Sequence, residues 1–291
     1  MFVSVITSRL LEILKMLLKV FCQWNRVLNF RFTMQKKQII VSLTSFPAAL
    51  PYAAQAIRSV LEGSFLPDKI VLYLTAQQFP SGKIPPDLHD LLNINSIFEV
   101  RFYNQTIRSY TKLIPALQDF PNDIVITIDD DVRYHKNMLK RLLSRHKKYP
   151  NAVIGHRVRR IKLNARYRKW KCYKRVSLLT RSFKPSYRNL QTGVGGVLYP
   201  PHSLSEEMLK PDLFMQLAPT VDDIWFWAAA VSKGTKIAPV PFGFWRQPDL
   251  GKPSKVSLRS TNVFSNIDVN RTVFESIMKK YPTIKQRFKS K

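Results

Sequence analysis

The 291-residue sequence has only two cysteines, Cys22 and Cys172, and they form no Cys-x-x-Cys pair. Neither a disulfide framework nor a cysteine zinc site is expected, and a reducing cytosol is the compartment that fits. Acidic residues are also scarce. Asp and Glu number 19 against 47 Lys and Arg, which leaves a net charge of +28. Charge of one sign repels itself in a compact chain, so the excess points to an anionic partner: nucleic acid, a membrane surface or an anionic substrate. No apolar run stays unbroken for the roughly 20 residues a bilayer span needs. There is no internal repeat, no low-complexity tract and no dinucleotide-binding glycine fingerprint. The five histidines, His89, His135, His146, His156 and His202, show no metal-ligand spacing.

What the sequence does contain begins with an apolar opening over residues 1–33. Arg9, Glu12, Lys15, Lys19, Gln23 and Arg26 recur at helical spacing on one face. Leu10, Leu11, Leu14, Leu17, Leu18, Phe21 and Trp24 fall mostly on the other. The basic residues do not precede the apolar ones, and no small-residue cleavage site follows, so a signal peptide is not expected. The segment reads either as an in-plane membrane helix with a basic face or as an amphipathic helix packed on the domain.

Residues 34–291 read as one domain with a sizeable core, apolar residues being 45% of the chain. Short β-branched runs predict strands at 39–43, 69–74, 98–103 and 124–128. Helical patterns fall at 52–62, 87–93, 110–118 and 135–148, with a proline-rich loop at 79–86 and a late helix at 268–280. This alternation predicts an α/β fold with a mostly parallel sheet and helices on both faces. Ligands of such sheets bind at the carboxyl ends of the strands.

At one such end stand Asp129, Asp130 and Asp131. Three adjacent carboxylates repel one another unless a cation joins them, and Mg²⁺ or Mn²⁺ takes oxygen ligands of this kind. In extended chain Asp129 and Asp131 share one side and Asp130 takes the other. A second acidic pair, Asp222-Asp223, opens an aromatic, apolar helix. It suits the helix dipole, and one carboxylate can also serve as a general base. A glycine cluster at 192–201 (TGVGGVLYPP) reads as a tight turn entering a strand or as a loop beneath the sugar or the acceptor, with Gly195 and Gly196 as its candidate residues. Lys112, at a predicted helix start, is a candidate phosphate partner. The strip from Arg157 to Arg188 holds 13 Lys or Arg with interleaved aromatics, and residues 151–190 contain no Asp or Glu. It suits an anionic lipid surface, a phosphorylated sugar-lipid or nucleic acid.

Taken in order, SLTSFP (42–47), PDKIVLYL (67–74), SYTKLIPAL (109–117), the acidic triplet, GVGGVLYPP (193–201) and DDIW (222–225) resemble bacterial GT-A glycosyltransferases of lipopolysaccharide or capsular polysaccharide synthesis. The resemblance implies a metal-dependent transfer from a nucleotide-diphosphate-sugar to a saccharide or lipid-linked acceptor, at the inner face of the cytoplasmic membrane, with inversion. It implies that Asp129 and Asp131 hold Mn²⁺ or Mg²⁺, and that Thr44, Ser45, Lys112, Asp129 and Asp130 line the donor. It further implies that Asp222 or Asp223 is the base, and that Gly195, Gly196 and Trp225 border the acceptor. The late histidine that many such enzymes use as a metal ligand is missing here, since none follows His202. Two other readings stay open: a metal-dependent phosphohydrolase or nuclease, and a nucleic-acid-binding protein, though no specific nucleic acid is expected.

Overall fold

The structure, a computed structural model, describes residues 16–17, 19–21, 37–173, 183–241, 243, 248–251 and 268–290. Most of the expected N-terminal helix, residues 174–182 of the basic strip and most of the last loop lie outside them. The two compact units divide at Lys37. In the first, the described residues are helical, and Met16, Leu17, Val20 and Phe21 are exposed.

The second unit is a mostly parallel α/β domain. Strands β1 (Ile39–Ser45), β2 (Lys69–Thr75), β3 (Phe98–Tyr103) and β4 (Ile124–Thr127) alternate with helices α1 (Leu50–Leu61), α2 (Pro86–Ile94) and α3 (Ile114–Asp119). Helix α4 (Met138–Lys148) leads to β5 (Val153–Gly155), and a small antiparallel pair follows, β6 (Val158–Arg160) with β7 (Asn189–Gln191). Then come β8 (Val197–Tyr199), α5 (Pro211–Leu217), α6 (Asp222–Lys233), β9 (Ile237–Pro239), α7 (Val269–Lys280) and α8 (Pro282–Lys289).

The main sheet has the order β3-β2-β1-β4-β8-β5-β9. Its pairs are parallel except those of β8, which runs antiparallel to both β4 and β5. The strand period of two sends alternate side chains to opposite faces. Ile40, Val71 and Val125 join a core with α3, α5, α6, α7 and α8. Val41, Leu72 and Ile126 join another with α1, α2 and α4. Helix α6 is buried on nearly all sides, and Trp225, Phe226 and Trp227 lie in the first core.

Several boundaries differ from those the sequence suggests, for local reasons. Pro51 does not keep α1 from starting at Leu50, because proline is tolerated in a first turn. Residues 110–118 form a 3₁₀ turn, Arg108–Lys112, and then α3, whose first turn takes Pro115. Lys112 therefore closes a turn ahead of a helix and does not open one. Helix α8 follows Tyr281 with a proline in its first turn, where the sequence reading had no helix.

Candidate active site

The parallel pairing of β1 with β4 brings their carboxyl ends together, with Ser42 opposite Thr127. Burial beyond β4 alternates: Asp129 and Asp131 are half-buried, while Ile128, Asp130 and Val132 are buried. Asp129 and Asp131 are thus the more exposed carboxylates of the three, but the strand has ended at Thr127 and the chain turns at Asp130 and Asp131, so the alternation of an extended chain does not set their directions. Asp130 turns inward, where it accepts the Ser45 hydroxyl at 2.5 Å. Thr44 donates to the Tyr73 carbonyl of β2 at 2.8 Å. The turn after the triplet is pinned by Tyr134, whose phenolic oxygen accepts the Asp129 N–H at 2.8 Å. Leu250 N–H bonds the Asp131 carbonyl at 2.9 Å.

Lys112 is the centre of the cluster. Its carbonyl accepts the Ser42 hydroxyl at 2.6 Å, which ties the 3₁₀ turn to β1. Its buried Nζ lies 2.9 Å from Asp129 Oδ1 and 2.9 Å from Asp222 Oδ2. Burial works against the ammonium charge, but Asp129, Asp222 and Asp223 outweigh it and hold Lys112 protonated well above its ordinary range. Asp222 and Asp223 occupy the first turn of α6, whose N-cap is Val221. Asp223 accepts the Gly193 N–H at 2.8 Å. Burial, followed by the neighbouring Asp222 charge, raises Asp223 to about 7, with Lys112 and the Gly193 N–H pulling the other way.

The reversed strand β8 supplies the rest. Val197 stands opposite Thr127, so the glycine turn that precedes it lies at the same edge as the acidic triplet. A Cβ on Gly193 would come within 2.8 Å of Lys112 Nζ, 3.1 Å of Asp129 Oδ1 and 3.4 Å of Asp223 Oδ1. Any side chain here must push the Lys112 ammonium aside. Gly193, not Gly195 or Gly196, is the glycine that meets the acids. Gly195 packs on the Arg157 backbone, and Gly196, at φ +83°, backs onto Met138 of α4. Trp225 is a core residue and does not border a ligand: it is fully buried and donates its indole N–H to the Met208 carbonyl at 2.6 Å. Tyr134 carries no periodic or spacing signal that marks it in the sequence, and Gly193 is marked only as a member of the glycine cluster.

The donor set here is carboxylate oxygen alone, which suits a hard divalent cation and not a soft one. Among the described residues no three His, Cys, Asp or Glu side chains form a metal cage by themselves. Asp129 and Asp131, both half-buried, are the carboxylates of the triplet that could contribute to such a site, and Asp129 also carries the Lys112 ammonium.

No family model and no curated protein sequence matches the chain. Solved structures give distant likenesses. One is a mannosyltransferase from Pyrobaculum calidifontis in complex with GDP-Man and Mn²⁺, at 11% identity and TM-score 0.48, covering 87% of this chain and 74% of that one. Another is a UDP-glucose pyrophosphorylase from Acinetobacter baumanii, at 12% identity and TM-score 0.41, covering 85% and 100%. A third is glucosyl-3-phosphoglycerate synthase from Mycobacterium tuberculosis, in complex with Mn²⁺, UDP and glucosyl-3-phosphoglycerate, at 18% identity and TM-score 0.31, covering 41% and 43%. Likenesses this distant carry no chemistry across, and the site speaks through its own residues.

Proposed function

We propose that the chain is a glycosyltransferase of the GT-A kind, which moves a sugar from a nucleotide-diphosphate-sugar to a saccharide or lipid-linked acceptor. The observation that carries this reading is the meeting of Asp129, Asp222 and Asp223 around the Lys112 ammonium, at the carboxyl edge of a mostly parallel sheet. The donor lies over the ends of β1 and β4, near Thr44 and Ser45, with Ser45 fixing Asp130. Asp129 and Asp131 would hold Mn²⁺ or Mg²⁺ jointly with the donor diphosphate. When bound, the cation would stabilise the charge that builds on the departing diphosphate.

Asp223 is the better candidate for the base. Asp222 is paired with Lys112. Asp223, raised to about 7, is matched to proton transfer near neutral pH. The acceptor oxygen attacks the anomeric carbon and the bond from that carbon to the diphosphate oxygen breaks. The acceptor proton passes to Asp223, and the configuration inverts.

We place the reaction in cell-surface polysaccharide synthesis, on the inner face of the cytoplasmic membrane. The net charge of +28 and the exposed apolar residues at 16, 17, 20 and 21 support attachment to an anionic surface. Among the described residues no helix is long and apolar enough to cross a membrane.

A thermal-shift panel of nucleoside diphosphates and nucleotide-sugars, each with and without Mn²⁺, tests the reading. Ligand that binds only the folded chain raises the melting temperature. A shift that needs both Mn²⁺ and one nucleotide is the expected result, and Asp131→Ala is expected to lose it and to lose transfer while staying folded. No shift with any nucleotide, or steady donor hydrolysis indifferent to every acceptor, would move the site to phosphate cleavage.

A further inference from the structure

Because β8 is reversed, three chain ends meet at one edge of the sheet. Thr127 at the end of β4 and Gly155 at the end of β5 both stand opposite Val197 at the start of β8. The turn Gly193–Gly195 lies between them. Its first glycine faces Asp129, Lys112 and Asp223. Its last lies on Arg157, where a Cβ would come within 2.7 Å of the backbone nitrogen. Thr192 holds the Arg157 carbonyl with its N–H at 3.0 Å and its hydroxyl at 3.1 Å. The Arg157 backbone is thus fixed to the same turn that roofs the acidic cluster.

The side chain is not fixed in the same way. The Arg157 guanidinium has no hydrogen-bond or ion-pair partner among the described residues, and its Nε is shut off from solvent with no acceptor. Buried donors are nearly always satisfied, so an unsatisfied one next to a site calls for a ligand. Its neighbours each have at least one partner, although Arg159 Nε is also buried without an acceptor. Arg159 lies over the Tyr167 ring at 4.6 Å and donates to the Trp170 carbonyl. Arg160 donates to Ser186 and Asn189, and Arg188 to the Phe288 carbonyl. No carboxylate is available within the strip, since residues 151–190 contain none.

We propose that Arg157 binds an anionic group, a phosphate or a carboxylate, on the sugar acceptor. The proposal rests on the transferase reading, in which the donor covers β1 and β4. Arg157 follows β5, on the other side of the glycine turn and of Asp223, and so faces what enters opposite the donor. A guanidinium presents a planar fork of donors that matches a carboxylate or phosphate, and the Arg157 fork meets no acceptor among the described residues.

Ligand-observed NMR on the full chain, with sugars paired to differ by one charge, tests this. The pairs are glucose with glucose 6-phosphate, and methyl glucoside with methyl glucuronide; they separate phosphate from carboxylate. The charged members are expected to bind more tightly than the neutral ones. Arg157→Gln is expected to weaken them about tenfold or more, the scale of one charge-assisted hydrogen bond, and to leave the neutral sugars unchanged. Lys162→Gln removes the same charge from an exposed position in the strip and is expected to change nothing. If both variants weaken binding equally, the attraction is diffuse and the assignment falls. It falls too if no charged member binds, or if Arg157→Gln binds as the wild type does. A wild-type salt titration keeps the test independent of the variant's folding: charged-sugar binding that ignores salt overturns the proposal. The Mn²⁺-dependent nucleotide shift, measured on both variants, reports separately on the transferase reading.

Discussion

Lys112 shows how one residue can hold a site together. Its Nζ joins a carboxylate from the end of β4 to one from the start of α6, and it is 8% exposed. Removing one partner of a buried pair strands the other charges, at a cost of about 3–5 kcal/mol. Lys112→Met is expected to lose stability on that scale in urea titration. Asp222→Asn in the same chain should restore part of it, and strict additivity of the two would show that they are not coupled. Two other residues give opposing pH signatures. Asp223 is raised from 3.8 to about 7, so between those values the unfolded chain has already released the proton that the folded one keeps. Its contribution is present in acid and is lost as pH rises through about 7. His156 is lowered from 6.5 to about 4 by burial, with its Nε2–H given to the Met138 carbonyl. Its contribution is present above 6.5 and is lost as pH falls toward 4. Melts at pH 7 and pH 5 are expected to separate them. Asp223→Asn should lose more melting temperature on acidification than the wild type, and His156→Gln less. Identical pH responses in all three chains would contradict both assignments.

Among the elements, the glycine turn ahead of β8 is the most constrained. Gly193 approaches Lys112 Nζ so closely that any side chain must displace an ammonium pinned by two carboxylates. Gly193→Ala is expected to fold, because an ammonium is the far end of a flexible chain, with the melting temperature lowered by only a few degrees, about 1 kcal/mol in a domain of this size. Nucleotide and Mn²⁺ binding should be lost, because Asp129 is displaced with the lysine. A variant that binds both normally would show that the turn does not touch the ligand. Helix α6 explains why Asp222 and Asp223 are placed so firmly. Behind them Trp225, Phe226 and Trp227 are buried in the core, and Gly234 closes the helix in the left-handed conformation. Trp225, expected beside the acceptor, anchors the acids from behind.

For the whole molecule, the charge excess sets the expected behaviour. Attachment to an anionic surface needs both basic charge and an apolar face, and each acts over a short range. Deleting residues 1–30 is expected to weaken sedimentation with anionic vesicles several-fold while the domain remains folded. Unchanged binding would remove the N-terminal segment from the attachment, leaving the basic strip to account for it.

The first four strands and their helices were legible in the sequence because each is a local pattern: a short apolar run rich in β-branched or aromatic residues, or an apolar stripe at helical spacing. The acidic triplet was legible for the same reason, since three carboxylates in a row at a strand end are a local anomaly. The strand period does not reach Asp129 and Asp131, because β4 ends at Thr127 and the chain turns at Asp130 and Asp131. What joins them to Asp222 and Asp223 did not follow, because it depends on contacts across about a hundred residues. Only the tertiary structure reverses β8 and carries Gly193 to the end of β4. Only it turns Lys112 inward between two carboxylates, buries Trp225 and leaves the Arg157 guanidinium without a partner among the described residues. Sequence determines the elements because their hydrogen bonds and apolar faces are set by near neighbours. The site is decided by which strand ends meet, and that is fixed by packing over the whole sheet.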